Sequence, residues 1–167
     1  MAKINFLLAA LTALIPLALG MIWYSSKVFG KPWMAAAGLT EEDAKTKLNM
    51  PLVFGLTYVF GFFISISLHF SVIHQFGFTA LLVPEMNHPL APETLTAANA
   101  LLEPFTTSFR TLRHGAIHGT ITGLFFVTPI IAIGSMFEFR GWKYILIQAG
   151  YWTVSCALMG AIICQYA

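Results

Sequence analysis

Four long stretches of the chain are dominated by apolar residues and contain no Asp or Glu, and polar segments separate them. The first covers residues 4–24 and is interrupted only by Asn5, Thr12 and Pro16. The second covers 51–76 and carries no charge at all. The third is 114–137, and the fourth is 142–166 with Lys143 at its very start. A helix that crosses a bilayer needs about 20 predominantly apolar residues, so each run is long enough. Inside hydrocarbon only helices and closed barrels satisfy their own backbone, and a barrel would alternate apolar and polar positions. These runs do not alternate. The pattern predicts an all-α, polytopic membrane protein, with residues 1–167 forming a single domain of four transmembrane helices in a bundle. Lys3 gives the first run the basic start of a signal peptide. Its apolar core is about twice the usual length of about 7–15 residues, so it reads as a true span.

The polar segments carry signals of their own. In "WYSSKVFGKPW", Trp23, Tyr24, Phe29 and Trp33 crowd around Lys27 and Lys31 where the first run stops. Trp and Tyr favour the headgroup layer, because one end of each side chain is apolar and the other polar. Lysines there extend their charge to water. These six residues are expected to anchor the exit of the first helix, with Gly30 and Pro32 turning the chain. Thr40 and Asp43 then stand at capping-box spacing, which predicts a short interfacial helix over 41–48.

Between the second and third runs lies a long loop, about 77–113. Its "PEMNHPLAPE" is turn-rich, and three prolines forbid a continuous helix. "PETLTAANALLEPF" resembles a short amphipathic helix, with Leu95, Leu101 and Leu102 available to rest on the bundle and Pro104 to stop it. Such a segment could serve as a lid over that end. Arg110 and Arg113 flank the return into the membrane, placed to hold lipid phosphates or to pair with Glu103.

Composition agrees with the pattern. The 167 residues are 57% hydrophobic and 10% charged, with a mean hydropathy of +0.76. A soluble domain keeps roughly a quarter of its residues charged. A net charge of +2 is too slight to argue for nucleic acid. Lys27, Lys31, Lys45, Lys47, Arg140 and Lys143 lie on one side, against Lys3, Arg110 and Arg113 on the other. The positive-inside rule then places both termini and the 77–113 loop outside. Cys156 and Cys164 are eight apart in one run, at different depths of one helix, and so cannot pair. They are expected to be reduced and buried.

The spans also lack permanent charge. None contains Asp or Glu, and none has Lys or Arg away from its ends. Ion-coupled transporters and proton pumps normally keep an ionisable group at membrane depth. A carboxylate proton relay, two-carboxylate chemistry and hydrolysis by a buried acid are all disfavoured. Neither a P-loop nor a dinucleotide fingerprint occurs. Histidine is the titratable type that remains. His69 lies about seven residues before the second helix ends, and His118 about seven after the third begins near Thr111. At 1.5 Å per residue both sit roughly 10 Å in from the same edge. His114 is one turn above His118, and His74 is near the rim.

Two readings of these histidines stay open. One is a metal or haem site ligated by His69 and His118, with His114 as third ligand, since imidazole suits copper, iron and zinc. The other is that each hydrogen-bonds a Ser, a Thr or a carbonyl on a neighbouring helix. The lack of acidic supporting residues in the spans weakens the metal reading. Tyr58, Gly61, Ser65 and His69 align on one face of the second helix, and Gln148, Tyr151 and Ser155 on one face of the fourth. Polar faces of this kind are expected to turn inward. Gly115, Gly119 and Gly123 are spaced four apart, two overlapping GxxxG steps that let a helix approach closely. The neighbour could be helix two or four of the same chain, or a second subunit. Pro16 and Pro129 are candidate kinks.

Several of these segments resemble one family. "GMIWYSSKVFGKPWMAAAGLTEEDAK" looks like the signature of small, mostly bacterial membrane proteins known as domain of unknown function 1761. The matching positions are Trp23, Tyr24, Ser25, Phe29, Gly30, Trp33, Gly38, Leu39 and Thr40. Weaker matches follow at His118, Gly119, Gly123 and Phe126, then at Gly150, Tyr151, Trp152, Met159 and Gly160. Ser26 stands where the family usually has Pro. The resemblance implies a four-helix membrane fold and no established activity.

The expected function is that of a non-catalytic bundle in a bacterial inner membrane, acting as a homo-oligomer or as an accessory subunit of a larger membrane complex. The alternatives are a small carrier or channel for a neutral or apolar compound, and a His-ligated metal or haem membrane protein.

Overall fold

Four helices of the computed structural model are long and apolar enough to cross a bilayer: Phe6–Trp23, Met50–Val72, Leu112–Phe137 and Trp142–Tyr166. They are called here the first to fourth spans. The structure describes residues 3–46, 49–81 and 91–167. No strand occurs among the described residues, and the protein is an all-α, multi-pass membrane bundle. Short helices Gly30–Ala37, Glu41–Thr46, Gln75–Leu81 and Pro92–Leu102 connect the spans, with a 3-10 turn at Glu103–Phe105.

The fourth span is the hub. It packs on all three others, most extensively on the third. Of its apolar window 44% is buried, against 11% for the third span. Glycine explains the tightest contact. A Cβ built on Gly115 would lie 2.1 Å from the carbonyl oxygen of Gly160. One on Gly119 would lie 2.1 Å from that of Cys156, and one on Gly123 2.5 Å from Thr153 Cα. The two backbones therefore touch with no side chain between them. Lipid offers no hydrophobic drive to pair helices, so close van der Waals approach of this kind is what holds them.

Other contacts close the bundle. Leu68, Val72 and Ile73 pack with Met159, Ile163 and Cys164 at the end that carries the C-terminus. Thr12 and Ser65 share a buried hydrogen bond of 2.7 Å between the first and second spans. The Tyr151 phenol donates to the Pro16 carbonyl at 2.7 Å. Cys156 and Cys164 are free thiols, both buried.

Helix breaks follow the prolines and one buried isoleucine. Pro16 has no N–H to give to the carbonyl four residues back, and the first span is interrupted at Ala13. Pro129 follows a π-helical turn at Gly123–Val127, where the Thr128 hydroxyl donates to the Gly123 carbonyl at 2.8 Å. The second span, expected to reach residue 76, ends at Val72. Ile73 turns extended (φ −109°, ψ 96°) and is buried beside Val72.

Between the first and second spans, Gly30 and Pro32 do more than turn the chain. They begin the helix Gly30–Ala37, because proline is tolerated in a first turn, where N–H groups have no intrahelical partner. Gly38 ends it at φ 67°, a left-handed position that glycine adopts without strain. The helix expected over 41–48 is seen as Glu41–Thr46, and Lys47 and Leu48 lie outside the described residues. Its capping box is in place. Thr40 N donates to Asp43 Oδ2 at 3.0 Å, and Asp43 N donates to Thr40 Oγ1 at 3.1 Å. In the long loop, the turn-rich stretch 82–90 lies outside the described residues. The amphipathic helix is Pro92–Leu102. Leu95 and Leu102 are half-buried, but Leu101 points away and is exposed.

Candidate functional site

Three histidines meet where the second and third spans come together. Ile73 leaves the helix to stay in the core, and the next residue, His74, emerges beside the third span. There Thr111 caps the new helix by accepting the N–H of His114 at 3.2 Å. His114 and His118 then stand one turn apart on one face. The glycine ridge on the neighbouring face is fixed against the fourth span, which sets the rotation of this helix. His74 Nε2 and His114 Nε2 are 2.9 Å apart. Ring centroids are 4.9 Å apart for His74 and His114, 4.9 Å for His74 and His118, and 4.5 Å for His114 and His118. One ligand nitrogen from each ring falls within 4.8 Å of the other two.

His69 is not a member of this group. Its Nδ1 donates to the Ser65 carbonyl at 2.8 Å within its own helix, and its Nε2 is buried without a partner among the described residues. The structure therefore brings together His114 and His118, as expected, but joins His74 to them in place of His69. Depth along the helices was readable from the sequence. The rotation of His69 and the break at Ile73 were not.

Below this cluster the second and third spans diverge and leave a lateral groove of about 610 Å³. Phe63, Ile64 and Leu68 line it from the second span. Ile121, Phe125 and Phe126 face them from the third, the last two on the π-helical turn. Its three hydroxyls are already committed to their own helices. Ser67 donates to the Phe63 carbonyl at 3.1 Å, Ser71 to that of Ser67 at 3.4 Å, and Thr122 to that of His118 at 3.0 Å. The groove thus presents hydrocarbon and almost no free hydrogen-bonding capacity.

A family model described as "Protein of unknown function (DUF1761)" matches residues 7–164. The chain belongs to this family. The match takes in the histidine cluster, the groove and the glycine ridge. No curated protein and no solved structure matches the chain.

Two of the segments that resemble DUF1761 from the sequence, those around Trp23–Trp33 and Gly150–Trp152, also meet in space, at the opposite end from the histidines. Trp23 Nε1 donates to the Ile147 carbonyl at 3.2 Å. A Cβ on Gly150 would lie 3.1 Å from the Trp23 ring. The Tyr24 phenol donates to Gln148 Oε1, and Gln148 Nε2 donates to the Tyr144 hydroxyl at 3.1 Å. Burial raises the Tyr24 phenol above its ordinary pKa, and Tyr151 and Tyr144 nearby push it the same way. It stays a neutral donor. Tyr24 also stacks edge-on against Trp33 at 5.1 Å, and Trp23 tilts against Phe29 at 4.7 Å. Two of the expected surface anchors, Trp23 and Tyr24, are therefore bonded into the base of the bundle. Lys27, Phe29 and Lys31 are exposed, and Trp33 is half-buried.

The remaining predicted positions divide. Ser65, Tyr151 and Ser155 are buried, while Tyr58 and Gln148 are half-buried. Arg113 is exposed. Arg110 instead donates through Nε to the Cys164 carbonyl at 2.8 Å, and through Nη2 to the Ala167 carbonyl. A cation there offsets the negative end of the fourth helix. Arg140 repeats the device by donating to the Ala37 carbonyl at the end of Gly30–Ala37. Nothing in the sequence singled out either arginine as a cap, because the carbonyls they reach are remote along the chain.

Proposed function

We propose that this protein is a non-catalytic membrane component that binds a neutral, apolar compound in the groove between the second and third spans. The observation that carries this reading is the groove itself. Its volume of about 610 Å³ falls within the usual 300–1,000 Å³ of small-molecule sites. It opens sideways, so an apolar compound reaches it from the bilayer without crossing water. With its hydroxyls back-bonded and no charged residue in its walls, it would impose a large desolvation cost on any ionised ligand. Protein extracted together with its native lipid should retain one apolar compound enriched over the surrounding bilayer. Ser67→Trp, which fills the groove, should lower that retention by more than about tenfold, equivalent to ~1.4 kcal/mol, with the fold intact. Equal retention by the folded variant would remove this reading.

A second reading, association with another copy or with a larger membrane complex, is favoured by two bare glycines. A Cβ at Gly55 on the second span or at Gly134 on the third would meet nothing within 4 Å. Both lie in the half of the bundle away from the histidines, on the helices that diverge. Disulfide cross-linking of Gly55→Cys or Gly134→Cys protein between copies, or to a co-purified partner, would support this reading. A strictly monomeric particle that captures nothing would count against it. The Lys and Arg distribution supports an orientation with both termini and the 77–113 loop outside, and the family resemblance supports placement in a bacterial inner membrane.

A further inference from the structure

We propose that His74, His114 and His118 form a binding site for one divalent transition-metal ion of the zinc and copper class. This proposal does not rest on the groove below. Three imidazoles, one from just past the end of the second span and two from the third, converge so that one nitrogen of each falls within 4.8 Å of the others. Two of them come from consecutive turns of one helix, a spacing that presents both rings to one ion. The helix is held on both sides of the pair. Thr111 caps it above, and Gly115 and Gly119 lock it to the fourth span.

The contact between His74 and His114 is close to metal-ready. Their Nε2 atoms are 2.9 Å apart. Two ligands on a tetrahedral ion with metal–nitrogen bonds of about 2.0–2.1 Å stand about 3.3 Å apart. Opening by a few tenths of an ångström suffices. His74 is exposed and stands just past the end of the second span, so it has room to move. Neither ring nitrogen of His118 is engaged by a hydrogen bond among the described residues. A metal would use that idle acceptor together with the two facing nitrogens, whereas without it one proton serves only the His74–His114 pair. The ligand set is all imidazole, which suits zinc and copper and offers magnesium or calcium nothing they prefer. Three protein ligands leave a fourth position open.

Phe109 completes the site. Its φ of 62° is a left-handed conformation that a bulky residue adopts only when its surroundings enforce it. There its carbonyl accepts from Cys164 Sγ at 3.3 Å and from Thr111 N at 2.9 Å. Its ring lies edge-on to His74 at 6.1 Å and tilted against His114 at 5.3 Å. It forms an apolar wall beside the ligands.

The test uses the full chain in detergent, freed of any histidine tag, with cobalt(II) as spectroscopic probe and zinc(II) as competitor. One equivalent of cobalt should bind with the intense visible absorption of a four-coordinate site, and zinc should displace it. His74→Gln, His114→Gln and His118→Gln should each weaken binding beyond the roughly 10–100-fold that losing a mere supporting contact costs. Melting curves confirm that each variant is folded. His74→Gln is the most informative, because that side chain is exposed and outside the spans. Absence of cobalt binding, or equal binding by all three folded variants, overturns the proposal.

Discussion

Gly119→Leu should separate the third and fourth spans. A Cβ at this position falls 2.1 Å from the Cys156 carbonyl oxygen, 2.7 Å from its carbon and 2.9 Å from Ala157 Cα. All three are backbone atoms of an unbroken helix, so none can rotate aside. Overpacking a core usually costs about 1–3 kcal/mol. Here the whole helix must retreat, and retreat also opens the contacts of Gly115 with Gly160 and of Gly123 with Thr153. The loss should therefore reach or exceed ~3 kcal/mol, a large part of the stability of an ordinary domain. Gly119→Ala should show a smaller loss in the same direction. Gly55→Ala and Gly134→Ala, which meet open space, should change stability by less than about 1 kcal/mol. Denaturation followed by circular dichroism in one detergent measures all four. Wild-type stability in Gly119→Leu would show that the ridge does not face the fourth span.

The same close approach explains the groove. The ridge draws the third span onto the fourth, and the first span is tied to the second through Thr12 and Ser65. The second and third spans meet at the histidines but are not drawn together below them. The π-helical turn ahead of Pro129 then sets Phe125 and Phe126 along the groove wall. Such turns are common at functional sites because they shift side chains off the regular helical register. Groove and histidine cluster are thus two consequences of one packing choice.

Much of this was legible in the sequence, and the reason is solvent. Hydrocarbon admits so few charges that the four spans stand out by composition, and only their ends differ from the apolar pattern. The second span stops at Val72 because burying Ile73 in the core outweighs one more helical turn, a tertiary effect that local pattern does not carry. The helix Gly30–Ala37 is masked in the sequence because Gly30 and Pro32 look like breakers, although "MAAAG" after them has both the propensity for a helix and a glycine to end it. The capping box at Thr40 and Asp43 was readable because its partners are three residues apart. The histidine cluster was half readable. Residue counts fix depth, whereas the rotation of His69 toward the Ser65 carbonyl and the swing of His74 belong to packing. The groove left no signal except Pro129, since it exists only where two helices part.

If hydrocarbon surrounds this bundle, the groove between the second and third spans should open to it rather than to water. Phe63 and Phe125, on opposite walls, are 57% and 76% exposed, so a label there should not disturb the core. The native cysteines are fully buried and should not compete for it. Spin labels on Phe63→Cys and Phe125→Cys protein in liposomes should relax strongly with oxygen, which concentrates in hydrocarbon, and weakly with a water-soluble nickel chelate. A label on Lys27→Cys should do the reverse. Strong nickel relaxation at both groove positions would mean that water fills the space between the second and third spans, and would contradict this account.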